Sequence, residues 1–262
     1  MTYSINKDFK FKKSFGQNFL IDNNIKTKFT DKSDIENRVC IEIGPGDGSI
    51  TLEILKRNPK MLFCIEKDQE LYKTLLEKFK DHKNLTIINE DALKFDYNKI
   101  FSQYNEKINF IGGLPYNVGT DIVVNLLQYY KNIEECCFIL QKEVAKKFCT
   151  KPSEKDFNFY GAVLKCFADS QYLFDISNNC FFPRPNVTSG AFIIKIKEKK
   201  IMDHFYTYEE VLDFLTIAFK YRKKNLSYIK KLLYDKPYMS SFKSDEEIKT
   251  HQFLTKIFKN LT

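Results

Sequence analysis

Residues 39–48 read Val-Cys-Ile-Glu-Ile-Gly-Pro-Gly-Asp-Gly. A short apolar run halts at glycines spaced two apart, and an apolar-periodic stretch follows to about Lys56. The run predicts a buried strand, the stretch after it a helix. The glycines between them let the backbone turn sharply and approach a ligand closely.

The same unit recurs on the C-terminal side. Met61–Ile65 is a second apolar run, ending at Glu66, with a helix predicted from about Gln69 to Phe79. Leu85–Ile88 is a third, followed by Glu90-Asp91-Ala92, and Ile108–Ile111 is a fourth, followed by Gly112-Gly113-Leu114-Pro115-Tyr116-Asn117. A helix over Asp121–Tyr130, a fifth run at Cys136–Leu140 and a helix over Glu143–Cys149 come next. Repeated alternation of this kind predicts an α/β fold, a parallel sheet with helices on both faces. A polar loop at Lys151–Asp156 precedes a helix and two late strands, Gln171–Ile176 and Gly190–Ile196. After Lys197 the pattern becomes helical, at about Tyr208–Tyr221, Leu226–Tyr234 and Asp245–Leu261. A domain over residues 1–198 with a basic N-terminal arm, and a small all-α domain over 199–262, are the expected organisation.

The chain has 262 residues, 43% of them hydrophobic, enough for a packed core. No apolar run reaches the ~18 residues of a membrane span, and the polar, lysine-bearing N-terminus has no signal-peptide apolar segment. The expectation is a soluble, cytoplasmic protein, and nothing in the pattern demands more than a monomer. A formal charge of +8 suits a polyanionic partner such as RNA. Seven cysteines without a Cys-x-x-Cys pair, and three scattered histidines, point to a reduced compartment and no metal site.

The strand ends carry the chemistry. Glu66 lies eighteen residues beyond Gly48, and an acid there can bind both hydroxyls of an adenosine ribose, which allows NAD or S-adenosylmethionine. Three features favour S-adenosylmethionine. Glu42 just ahead of the loop is unhelpful to a pyrophosphate but tolerable near a sulfonium; the loop is Gly-Pro-Gly-Asp-Gly, not Gly-x-Gly-x-x-Gly; and Asp91-Ala92 offers a carboxylate for an adenine amino group beside a backbone N–H. Each acid alone reads as a helix cap or a solvated strand end; three at successive strand ends aim at one sheet edge. The turn Gly113-Leu114-Pro115-Tyr116 suits a flat substrate, whose ring stacks on the tyrosine while fixed backbone carbonyls accept from an amino group.

With these residues placed, the chain resembles the KsgA family of rRNA adenine N6,N6-dimethyltransferases. The resemblance runs from about Lys12 to Lys197. It rests on Phe15-Gly-Gln-Asn-Phe-Leu20, the glycine loop, Glu66, Asp91-Ala92, Gly113-Leu-Pro-Tyr116, Gln141-Lys-Glu-Val-Ala145 and Phe181-Phe-Pro-Arg-Pro-Asn-Val187. The erythromycin-resistance rRNA methylases share the glycine loop and the Leu-Pro-Tyr turn, whereas Gln141–Ala145 and Lys151–Asp156 look more like KsgA. The resemblance implies a Rossmann-like class I methyltransferase sheet, S-adenosylmethionine as cofactor, and ribosomal RNA of the small subunit as substrate and assembly partner. It implies that Gln17, Asn18 and Leu20 close over the cofactor. Glu42, Gly44 and Gly46 would lie at its methionine end, Glu66 at its ribose, Asp91 and Ala92 at its adenine, and Gly113 beside it. Gly113, Leu114, Pro115, Tyr116 and Phe181 would hold the target adenine, with Tyr116 and Phe181 as the two slices of a sandwich. Lys12, Lys13, Arg184, Arg222, Lys223 and Lys224 would hold RNA phosphates.

One position departs from the family. Its turn reads Asn-Leu-Pro-Tyr, and here Gly113 takes the place of the asparagine, whose side-chain oxygen would be one of two acceptors for the amino group. Loss of one oriented bond at a reacting centre costs roughly 100- to 1000-fold in rate by analogy with an oxyanion-hole donor. Two readings follow. One is an active dimethyltransferase that tolerates Gly113; the other is an RNA-binding ribosome-assembly or transcription factor of the same fold with weak or no activity. The acids at 42, 66 and 91 favour the first. A large-subunit rRNA methylase of the resistance type is a third reading.

Overall fold

A computed structural model describes residues 17–197 and 207–221. Lys12, Lys13, Arg222, Lys223 and Lys224, the boundary expected near residue 199 and the helices expected over 226–234 and 245–261 lie outside the described residues.

The chain begins with β1 (Phe19–Leu20) and α1 (Asn23–Thr30), whose first turn is capped by Asp22 accepting from the Ile25 N–H at 3.0 Å. The alternating units then form β2 (Val39–Ile43), α2 (Ser49–Leu55), β3 (Met61–Glu66), α3 (Gln69–Lys78), β4 (Leu85–Asn89), a short α4 (Asn98–Phe101), β5 (Ile108–Gly113), α5 (Gly119–Leu126), β6 (Ile133–Gln141) and α6 (Lys142–Phe148). After them come α7 (Phe159–Phe167), β7 (Ala168–Ile176), β8 (Phe181–Phe182), β9 (Ser189–Ile196) and α8 (Tyr208–Lys220).

Seven strands make one sheet in the order β4-β3-β2-β5-β6-β9-β7. Pairings β3–β4, β2–β3, β2–β5 and β5–β6 are parallel. Every residue of β2 is buried, as a strand covered on both faces requires. The order turns back on itself between β2 and β5. In open α/β sheets the crevice at the carboxyl ends of two such strands is where ligands bind.

Three features differ from the sequence expectation. First, β5 runs on through Gly112 and Gly113 instead of stopping before them. A Cβ on Gly112 would lie 2.4 Å from the Ile43 carbonyl oxygen, so the glycine serves a close approach of β5 to β2 rather than a turn. Second, the sheet is not wholly parallel: β9 is antiparallel to β6, from Gln141↔Ser189 to Glu135↔Lys195. No crossover helix lies between β7 and β9 to return the chain to the end a parallel pairing would need. Third, β1 and β8 form a two-stranded antiparallel ladder, Phe19↔Phe182 and Leu20↔Phe181. Two residues per strand are too few to leave a period in the sequence.

The chain divides into two compact units. Among the described residues the first comprises 17–145 and 171–195, and the second 146–170, 196–197 and 207–221. In the second, α7 is capped by Asn158, which accepts from the Tyr160 and Gly161 N–H groups, and α8 begins with a capping box between Thr207 and Glu210. Phe159 meets Phe219 edge-on at 6.1 Å between ring centroids, and Phe167 lies 5.9 Å from Tyr208. No helix among the described residues is long and apolar enough to cross a membrane.

Candidate active site

A cavity of about 190 Å³ opens in the first unit at the carboxyl ends of β2, β3, β4 and β5. Among its walls are Gln17, Asn18, Leu20, Gly44, Gly46, Glu66, Asp91, Ala92, Gly113, Leu114, Pro115, Tyr116 and Phe181. Residues far apart in sequence meet there because each parallel strand delivers its following loop to the same edge.

The loop after β2 is shaped by left-handed backbone at Gly44 and Gly46, with φ of +68° and +60°. A Cβ on Gly46 would also lie 2.8 Å from the Phe19 ring, so β1 lies directly on the loop. The Ser49 hydroxyl donates to the Leu20 carbonyl at 3.1 Å and fastens β1 there. Gln17 Nε2 donates to Asp68 Oδ2 at 3.0 Å, drawing the arm ahead of β1 to the start of α3.

Glu66 ends β3 with 7% of its surface exposed. Its Oε2 accepts from the Gly46 N–H at 3.1 Å and its Oε1 from the Asp68 N–H at 2.8 Å. Burial pushes its carboxyl up to about 7 despite these backbone donors. Asp91 behaves differently. Partial burial opposes its ionisation, but Lys67 Nζ at 2.8 Å and the Leu93 N–H at 3.0 Å outweigh it, and the carboxyl lies below its ordinary value. Lys67 also lines the cavity.

Glu42 is not in the cavity wall. It is wholly buried, and its Oε2 accepts from the Thr51 hydroxyl of α2 at 2.6 Å and from the Cys64 thiol of β3 at 3.4 Å. Its Oε1 has no partner among the described residues, and burial pushes the carboxyl up to about 7. Direct ligand contact, expected for Glu42 from its place ahead of the loop, is not what this geometry provides; the side chain ties the sheet to α2 beneath the loop.

On the opposite wall, the Leu114 N–H donates to the Ile139 carbonyl at 3.0 Å, fixing the turn against β6. The Pro115 carbonyl is taken by the Gly119 N–H at 2.7 Å and the Val118 N–H at 3.3 Å, as α5 begins. No backbone N–H bond from the described residues to the Leu114 carbonyl accompanies these. Tyr116 is half-buried, and its hydroxyl is hydrogen-bonded to the Ser189 hydroxyl, which fixes the ring plane. Of the two adjacent phenylalanines, Phe181 turns inward at 6% exposure and Phe182 outward at 50%. Arg184 is exposed and outside the cavity wall.

Phe19, Lys67 and Ser189 contribute contacts that the sequence does not mark. Phe19 sits within Phe15–Leu20, but its packing on Gly46 has no sequence signal; Lys67 is marked only by following an acid at a strand end. Among the described residues no group of three or more His, Cys, Asp or Glu is placed to hold a metal ion.

A model of the ribosomal RNA adenine dimethylase family matches residues 8–259. The ribosomal RNA small subunit methyltransferase A of Persephonella marina is 38% identical over 222 residues, covering 84% of this chain and 82% of that protein. The protein of the same name from Mycoplasmopsis pulmonis is 36% identical over 215 residues, covering 82% and 81%. Among solved structures, a dimethyladenosine transferase from Plasmodium falciparum superposes with a TM-score of 0.69 at 20% identity, covering 80% of this chain and 74% of that one. The 23S rRNA methyltransferase ErmE does so with a TM-score of 0.67 at 20% identity, covering 93% and 99%. At that identity the two structures establish the fold.

Proposed function

The chain belongs to the ribosomal RNA adenine dimethylase family, and from that membership we propose that it dimethylates N6 of adenines in small-subunit ribosomal RNA, with S-adenosylmethionine as methyl donor. The observation that carries this reading is one cavity with two chemically distinct walls. Glu66, Asp91 and the glycine loop form one; Gly113–Tyr116 and Phe181 form the other.

The residues present fit the donor. Glu66 is a buried acceptor at a strand end, suited to a pair of ribose hydroxyls, and Asp91 is an ionised acceptor suited to an amino group. Gly44 and Gly46 leave backbone, not side chains, facing the cavity. When bound, S-adenosylmethionine supplies an electrophilic methyl group on sulfur.

The protein's part is positioning. The adenine N6 lone pair is delocalised into the ring, so the enzyme gains by accepting from the amino group and aligning it. The Leu114 carbonyl is the acceptor this reading assigns to one N–H, and the Leu114 N–H bond to the Ile139 carbonyl fixes the turn that carries it. The Tyr116 ring, fixed through Ser189, and Phe181 hold the base face to face. Alignment of this kind supplies up to roughly 7–11 kcal/mol in favourable systems. The target base must leave its stack to reach the cavity. Arg184 and the basic residues at 12, 13 and 222–224 serve the RNA backbone, contacts that position rather than specify. The protein acts as a monomer in the cytoplasm, on the assembling small subunit.

Labelled S-adenosylmethionine and unmethylated small ribosomal subunits test this reading. The expected product on digestion is N6,N6-dimethyladenosine. Tyr116→Ala and Phe181→Ala each remove a stacking face worth about 1–3 kcal/mol, and turnover is expected to fall roughly 10- to 100-fold. RNA binding without any methylated adenine overturns the enzymatic reading, and unchanged turnover in both variants excludes the sandwich.

A further inference from the structure

We propose that Tyr97 is a positioning residue for the methyl donor: its hydroxyl, acting through a single peptide plane, sets the direction of the Asp91 carboxylate in the cavity wall. The inference rests on the adenine role proposed for Asp91 and adds to it a residue that does not itself reach the cavity.

Tyr97 stands at the N-terminus of α4 and has no exposed surface. Rings surround it. Phe95, Phe110 and Tyr129 meet it edge-on with centroids 5.1, 5.4 and 5.4 Å away, and Phe101 stacks on it at 6.3 Å. A phenylalanine would serve every one of these contacts. Burying a hydroxyl among them is costly unless it finds a partner. It finds one at the cavity: the phenol donates to the Ala92 carbonyl at 2.9 Å. No backbone N–H of the described residues donates to that carbonyl. Burial also pushes the phenol above its ordinary value, so the hydroxyl keeps its proton and remains a donor.

The Ala92 carbonyl belongs to the peptide unit that joins Ala92 to Leu93. The N–H of that same unit donates to Asp91 Oδ1 at 3.0 Å. A peptide unit is planar and rigid, so holding its oxygen also aims its N–H, and with it one oxygen of the carboxylate. Lys67 Nζ holds the other oxygen at 2.8 Å, but that side chain is 56% exposed and flexible, and it cannot set the direction alone. A carboxylate has about four lone-pair sites, so capacity for an amino group remains. Asp91 and Ala92 line the cavity, and Tyr97 lies behind them. Without its hydroxyl the Ala92–Leu93 peptide is free to turn about the bonds that flank it, and the carboxylate loses its fixed setting.

A change of amino group to oxygen in the ligand reads that setting. S-adenosylhomocysteine and S-inosylhomocysteine differ at purine position 6, where the first carries an amino donor and the second a carbonyl acceptor. Calorimetric titration of the full-length parent protein is expected to favour the adenosyl compound. Tyr97→Phe keeps the ring and removes the donor. It is expected to weaken binding of S-adenosylhomocysteine about tenfold and of S-inosylhomocysteine less than about twofold, so that the preference shrinks about fivefold or more. In turnover on unmethylated small ribosomal subunits the loss should fall on KM for S-adenosylmethionine far more than on kcat. Phe101→Leu is the control. It loosens the same ring cluster and spares the hydroxyl, and it should lower the melting temperature with the preference intact. If Tyr97→Phe melts too early to titrate, Tyr97→4-fluorophenylalanine fills the same position without a donor. A parent-like preference in the folded Tyr97 variant overturns the assignment. So does an equal shrinkage in Phe101→Leu, which would trace the effect to packing. A parent protein that binds both compounds alike overturns the adenine role of Asp91 beneath it.

Discussion

Glu42 and Glu66 stand on neighbouring strands, both buried, yet only Glu66 lines the cavity. The sequence marks both as acids near a glycine loop. It does not show that Glu42 turns to Thr51 and Cys64, because that depends on how α2 lies over the sheet. Glu66, Asp91 and the Leu-Pro-Tyr turn are legible because a parallel strand's last residue and the loop after it must emerge at one edge. Burial pushes the Glu42 carboxyl from 4.5 up to about 7 in the folded protein. A raised carboxyl favours folding in its neutral form, so this stabilisation is complete below about pH 4.5 and is lost as pH rises through about 7. Glu42→Gln keeps a neutral group of the same shape. Its urea-unfolding free energy is expected to fall less than the parent's between about pH 4.5 and pH 8, by roughly 1–3 kcal/mol. Parallel curves for the two proteins would show that Glu42 does not titrate in this window.

At the scale of elements, the five parallel strands β2 to β6 and α3 lie where the apolar runs and helical periods put them, within a few residues. Long runs bounded by glycine or acid are strong signals. The β1–β8 ladder, two residues on each side, is visible only in three dimensions. It nonetheless forms a wall of the site, because Phe19 rests on Gly46. Gly46→Ala meets two penalties, a left-handed φ that costs a non-glycine residue about 1–2 kcal/mol and a Cβ 2.8 Å from the Phe19 ring. It is expected to bind S-adenosylmethionine at least tenfold more weakly by calorimetric titration. Adding Phe19→Ala should restore part of the loss by relieving the ring contact. Parent-like affinity in the single variant would mean that the loop and β1 are not coupled as described.

For the whole molecule, the +8 formal charge is legible in composition, but its arrangement is not, since composition carries no positions; the basic residues at 12, 13 and 222–224 lie outside the described residues. With roughly 6–10 phosphates neutralised, affinity for small-subunit RNA should drop about 10³- to 10⁵-fold between 50 and 200 mM salt. Replacing Lys12, Lys13, Arg222, Lys223 or Lys224 by alanine should each lower the slope of log K against log salt by about 1, with unchanged affinity for the methyl donor. A slope indifferent to all five would remove them from the RNA contact. The pairing of Phe19–Leu20 with Phe181–Phe182 also sets an order of events during synthesis. A nascent chain that has emerged from the ribosome only as far as residue 150 already carries the glycine loop, Glu66, Asp91 and Tyr116. It still lacks the strand that holds β1 over them. The site closes late in translation, after some 160 residues of chain have spanned the gap between the two halves of that one wall.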